Sequence, residues 1–169
     1  DEDEPTISNC DFIDNLAWQG GAININEDVP YLNIADCRFE RNQAVDPNSG
    51  SSTPVGGAIS VGTGSYGSEL VLNDCGFLDN NATNVGGAVA LINPVCELYA
   101  NGCDFESNTA TYGGAIYFYG NEAVITDTSF TFNDPEYGGA LFIATGDVSL
   151  DNVEFNENSA DYGGEDIFF

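Results

Sequence analysis

The sequence contains no histidine, no lysine and no methionine. Its only basic side chains are Arg38 and Arg41, set against 28 acidic ones, and the formal charge is −26. Each absence removes chemistry. Without His or Lys there is no Ser-His-Asp or Cys-His nucleophile, no histidine metal site, no Schiff-base lysine and no P-loop. The negative surplus repels phosphate, which excludes nucleic acid and anionic membrane surfaces as partners and leaves cations, cationic surfaces and neutral glycans. Long apolar runs are also missing. Stretches such as Ala88-Val89-Ala90-Leu91-Ile92 fall far below the roughly 20 residues that cross a bilayer, so no membrane insertion is expected. The chain opens Asp-Glu-Asp-Glu without Met or an apolar leader, which reads as a processed or excised part of a larger product.

What is present suffices for a core. Of 169 residues, 42% are hydrophobic and only 18% charged, so acidity alone does not prevent folding, and the length suits one domain. A Phe-x-x-Asn tetrapeptide recurs six times, beginning at Phe12, Phe39, Phe77, Phe105, Phe130 and Phe155. Each copy is followed by a double glycine, from Gly20-Gly21 to Gly163-Gly164, and five of the six continue as Ala plus an aliphatic residue.

Aligning the copies produces columns. Cys10, Cys37, Cys75, Cys103, Thr128 and Val153 share one column, three residues after Ile34, Leu72, Ala100, Ile125 and Leu150 and five after Leu32, Leu70, Leu98, Ala123 and Val148. Alternation of period two marks a strand with one buried face, and it returns after the glycines in Ile23/Ile25, Ile59/Val61, Val89/Leu91, Ile116/Phe118 and Leu141/Ile143. A third short strand carries Cys-x-Phe and ends at the Asn, a residue that tolerates the left-handed backbone of a tight corner. Three strands per repeat of about 25 residues, with no helical periodicity, predict an all-β fold: a single-stranded parallel β-helix solenoid of about six coils. Right-handed crossovers are the rule for such connections. At roughly 4.8 Å per coil the rod is about 29 Å long.

The pairing of Gly-Gly-Ala-(Ile/Leu/Val) with Phe-x-x-Asn resembles the repeats of the chlamydial polymorphic outer membrane proteins and their relatives in other microbes. The resemblance implies a right-handed β-helix displayed outside the cell as an adhesin or surface structural module. It brings no catalytic residue with it, because the motif is architectural.

Outward columns are where ligands would bind. Tyr31, Glu69, Glu97, Glu122 and Asp147 form one such column, so four carboxylates stack in consecutive coils. Two charges at that spacing repel by about 0.9 kcal/mol in bulk water and about 3.5 kcal/mol at an effective dielectric of 20. Two readings stand: a hydrated acidic face, or a row of calcium sites at Glu69, Glu97, Glu122 and Asp147, since hard divalent ions prefer several carboxylate oxygens. No other cofactor is expected. Arg38, between Asp11 and Gly76, and Arg41, between Asp14 and Asp79, read as members of salt-bridge ladders with stacked acids. Asp104 and Glu154, two coils apart, are candidates for the paired carboxylates of a glycosidase or lyase.

The four-cysteine column reads as small buried hydrophobes with free thiols; Cys96 stands apart, either inert or an intermolecular link. Corners enlarged at 26–30, 62–68 and 92–95, and an insertion at 45–55, are loops where recognition can occur. Tyr112, Tyr137 and Tyr162 read as a ladder that stiffens the rod or stacks against sugars. Asn81-Ala82-Thr83 is a single glycosylation sequon. Residues 1–169 thus form one β-helix segment with both ends uncapped, part of a longer chain or stacked end to end with copies of itself in a filament. The expected function is a non-enzymatic extracellular or cell-surface structural or adhesive module, with glycans or divalent cations as ligands. The alternative is a carbohydrate-active β-helical enzyme.

Overall fold

Phenylalanine at every coil's midpoint, flanked by residues of alternating polarity, can be buried only if the coils stack in register. The computed structural model describes residues 5–26, 29–46, 54–62 and 67–169 and has that arrangement. All its regular structure is β, every strand pairing is parallel, and six coils stack into a solenoid. The pairings reproduce the sequence columns residue for residue: Leu32, Leu70, Leu98, Ala123 and Val148 align, as do Phe12, Phe39, Phe77, Phe105, Phe130 and Phe155.

The walls form three sheets, of ten, six and three strands. The six-stranded wall holds the short segments Asp11–Ile13, Arg38–Glu40, Gly76–Leu78, Asp104–Glu106, Ser129–Thr131 and Glu154–Asn156. The ten-stranded sheet contains both the aliphatic strands and those that follow the glycines. Two 11-residue strands, Ile116–Thr126 and Leu141–Asp151, join these walls, because the tight corners at Gly120-Asn121 and Thr145-Gly146 are bulges within continuous strands. The third sheet corrects the count of three strands per coil. Leu16–Ala17, Gln43–Ala44 and Asn81–Ala82 make a short extra rung, whose Ala44 and Ala82 are buried with Ala110.

Inside, the six phenylalanine rings stack with centroids 4.6–5.2 Å apart and planes within 10°. Beside them runs a ladder of asparagines. Asn42, Asn80, Asn108 and Asn133 are completely buried. Each gives its side-chain amide to the Oδ1 of the next asparagine at 3.0–3.1 Å, and that Oδ1 also accepts the backbone N–H of the same donor residue at 3.0 Å. The amide's second hydrogen goes to the phenylalanine carbonyl one coil back. A buried polar side chain is tolerated only when so satisfied.

This corrects the role expected of Asn. The left-handed corner falls one residue earlier, at Asp14, Arg41, Asp79, Ser107, Phe132 and Glu157, all with φ between 51° and 58°. That reversal turns the following Asn inward instead of outward.

The double glycines have two separate tasks. Gly86 has φ +63°, a region that suits glycine, whereas Gly87 is needed for space: a Cβ there would overlap the Gly114 carbonyl oxygen and lie 2.6 Å from both Thr109 N and O. Coil-to-coil backbone contact at this corner excludes any side chain.

Candidate functional site

The acidic column is a physical row. Tyr31, Glu69, Glu97, Glu122 and Asp147 pair rung by rung at the start of the aliphatic strands. The row runs beside shallow clefts lined by Pro30, Gly67, Ser68 and Val95 on one stretch and by Pro94, Gly120, Asn121 and Thr145 on another. Protein donors already relieve part of its repulsion. The Tyr99 hydroxyl lies 3.2 Å from Glu97 Oε2 and 3.1 Å from Glu122 Oε2, and Asn121 donates to Glu97 Oε1 at 3.0 Å. The Glu122 hydrogen bond, with the two carboxylate charges, pushes the Tyr99 phenol up to about 12. Among the described residues, no three or more Cys, Asp or Glu side chains converge where they could hold a metal ion.

Arg41 meets a stacked acid of its column, as expected, and Arg38 does not. Arg38 pairs with Glu40, two residues along its own strand, not with the stacked Asp11. Arg41 holds Asp14 through two hydrogen bonds, Nε to Oδ1 at 2.7 Å and Nη2 to Oδ2 at 2.9 Å, and its Nη1 meets Glu40. Both basic residues of the chain therefore converge on one nearly buried carboxylate, which sequence reasoning missed. Arg41 also keeps the Asp14 carboxyl below its ordinary range through the same hydrogen bonds. This clasp neutralises a buried acid at the level of coil two.

Asp104 and Glu154 do share a column, with Ser129 between them, and line an open cleft with Asp127, Thr128 and Asn152. Ser129 Oγ donates to Asp104 Oδ1 at 2.6 Å, and Asn152 donates to Asp127. The cleft is polar, shallow and exposed.

All five cysteines are free. Cys37, Cys75 and Cys103 are buried as expected, but Cys10 is exposed because no described coil covers it. Cys96 is fully buried, which removes the intermolecular-link reading, and burial pushes its thiol up. Tyr112, Tyr137 and Tyr162 stack at 5.0 and 5.4 Å, joined edge-on by Phe142 and Phe168. The Tyr112 and Tyr137 faces turn toward each other, whereas Tyr162 is exposed. The corner 92–95 is a turn, with Cys96 N donating to Asn93 O at 3.0 Å. Most of the insertion at 45–55 and parts of the corners at 26–30 and 62–68 lie outside the described residues.

Residues 102–119 match the Chlamydia polymorphic membrane protein repeat. That stretch contains Phe105-x-x-Asn108 and Gly113-Gly114-Ala115-Ile116, the two motifs whose other copies build the remaining coils. The family is one of surface-exposed outer membrane proteins. Neither the curated proteins nor the solved structures give a match.

Proposed function

From a repeat whose family is displayed at the cell surface, we propose that this chain is a non-catalytic structural or adhesive module, a segment of a longer surface rod or of an end-to-end filament. One observation carries the reading: the repeated motif residues build architecture. Phe and Asn form interior ladders, Ala fills the small inward positions, and the glycines let backbones approach. The outward walls carry acids in open rows. Neutral glycans and divalent cations are the ligands this charge favours.

The runner-up, a glycosidase or lyase, is favoured by the cleft that holds Asp104, Asp127 and Glu154. Incubation with acidic and neutral polysaccharides separates the two, assayed for new reducing ends or unsaturated products. No turnover is expected. Turnover that disappears in Asp104→Asn or Glu154→Gln would replace the structural reading with the enzymatic one.

For the row at Glu69, Glu97, Glu122 and Asp147 we propose calcium as a counterion. Millimolar calcium is expected to raise the melting temperature above an ionic-strength-matched sodium control, since screening alone makes the two salts equivalent. Coincident melting curves would leave a hydrated acidic face with no calcium site.

A further inference from the structure

Five of the six left-handed residues that precede the ladder asparagines are polar: Asp14, Arg41, Asp79, Ser107 and Glu157. The sixth is Phe132, with φ 56°. A bulky side chain suits that backbone poorly, because its Cβ crowds the adjacent carbonyl, whereas Asp, Asn and Gly adopt it readily. The corner does not require a ring. Its backbone is fixed by the next coil, with Phe132 N donating to Asn156 O at 3.1 Å, and the inward positions on either side are filled by Phe130 and Asn133. Phe132 is 47% exposed and, among the described residues, joins none of the ring stacks. Coils four and six pair with coil five from both sides, so the ring is exposed on the side wall of the solenoid. Strained backbone of this kind persists where the surroundings impose it, and it gathers at ligand sites.

The wall beside the ring holds the polar cleft. The short strand Ser129–Thr131 leads into Phe132 and begins at Ser129, which lies between Asp104 and Glu154 of the flanking coils. Three residues of extended chain put ring and hydroxyl roughly 10 Å apart. Ser129 Oγ donates to Asp104 Oδ1 at 2.6 Å and Asn152 donates to Asp127, which orients these carboxylates and leaves them further acceptor capacity. An apolar ring beside fixed acceptors is the pairing a sugar needs: its C–H face packs on the aromatic and its hydroxyls donate to the acids. Charge narrows the class. A net −26 repels anionic polysaccharides. An ammonium gains little from exposed carboxylates, so packing and hydrogen bonding set the affinity, and both suit a neutral sugar.

We propose that Phe132 is the stacking platform of a binding site for a neutral oligosaccharide, which runs along coil five from the ring to Ser129, Asp104 and Glu154. The inference deepens the adhesive reading by locating its ligand and rests on that reading for its biological use. Phe132 touches the sugar, and the acids fix its orientation.

Calorimetric titration of the full chain with cellotetraose, mannotetraose and chitotetraose tests this, with an oligogalacturonate and a chitosan oligomer as charged controls. At least one neutral tetrasaccharide is expected to bind in preference to both controls. Phe132→Asn then separates a recognising ring from a packing one by sign. It should weaken binding by roughly tenfold while raising the melting temperature by roughly 2–4 °C, because the left-handed strain is relieved. Phe132→Leu, which keeps the strain and removes the ring, should lose the binding without the gain in stability, and it serves if the asparagine variant fails to fold. Asp104→Asn should weaken binding with an unchanged melting temperature. A wild type that binds none of the neutral tetrasaccharides, or prefers a charged control, overturns the proposal. So does a Phe132→Asn that melts lower, or a folded Phe132 variant that binds as the wild type does. Any of these leaves the structural reading standing, whereas polysaccharide turnover would remove the non-catalytic reading and leave the platform in place.

Discussion

Gly87→Ala is expected to abolish folding of the solenoid or to cost more than about 4 kcal/mol, the range reached only by a few severe mechanisms. The added methyl would overlap Gly114 O of the next coil while crowding Thr109 N and O; all three are backbone atoms, and Thr109 N and O are held by inter-coil hydrogen bonds. No rotamer relieves the overlap, so two coils must separate. Gly76→Ala is the internal control. A Cβ there meets nothing within 4 Å, and a change within about 0.5 kcal/mol is expected. Denaturant unfolding of both variants measures the contrast. Similar midpoints would mean that the glycine pairs do not bring the coils into contact.

Replacing Asn108 by leucine keeps the volume and removes the chemistry, and the expected loss is at least about 2 kcal/mol. Asn80 N and one hydrogen of Asn80 Nδ2 lose their acceptor, Asn108 Oδ1, whereas Asn80 Nδ2 keeps Phe39 O and Asn133 Oδ1 keeps the backbone N–H of residue 108. Each buried donor left unsatisfied costs about 1–3 kcal/mol, and the low end of that range for the two gives the figure. Asn156→Leu, on the exposed side of its strand, should change stability by no more than about 0.5 kcal/mol. Equal losses from the two substitutions would make the ladder an ornament of the fold.

Architecture was legible in the sequence because in-register parallel stacking turns each repeat position into a column. Tyr31, Glu69, Glu97, Glu122 and Asp147 each lie six residues before Cys37, Cys75, Cys103, Thr128 and Val153, and the pairing places them rung upon rung. What counting could not supply was side-chain direction at corners. The left-handed residue before each Asn reverses the alternation, so an amide that looks like a corner residue becomes the most buried polar group of its coil. Column logic also misplaced Arg38, whose long side chain reaches Glu40 on its own strand. The exposure of Leu150 at 36% has a similar origin: its column is buried in coils two to five, and in the sixth no described strand covers it.

The central claim is that each Phe-x-x-Asn tetrapeptide closes one coil and passes its asparagine to the next. Nuclear magnetic resonance of the side-chain amides reads this directly. Asn80, Asn108 and Asn133 lie 28 and 25 residues apart in sequence, yet successive amides should show strong mutual Overhauser effects and exchange with solvent far more slowly than that of exposed Asn156. Amides without inter-repeat effects, exchanging as fast as Asn156, would contradict the stacked solenoid on which the functional proposals rest.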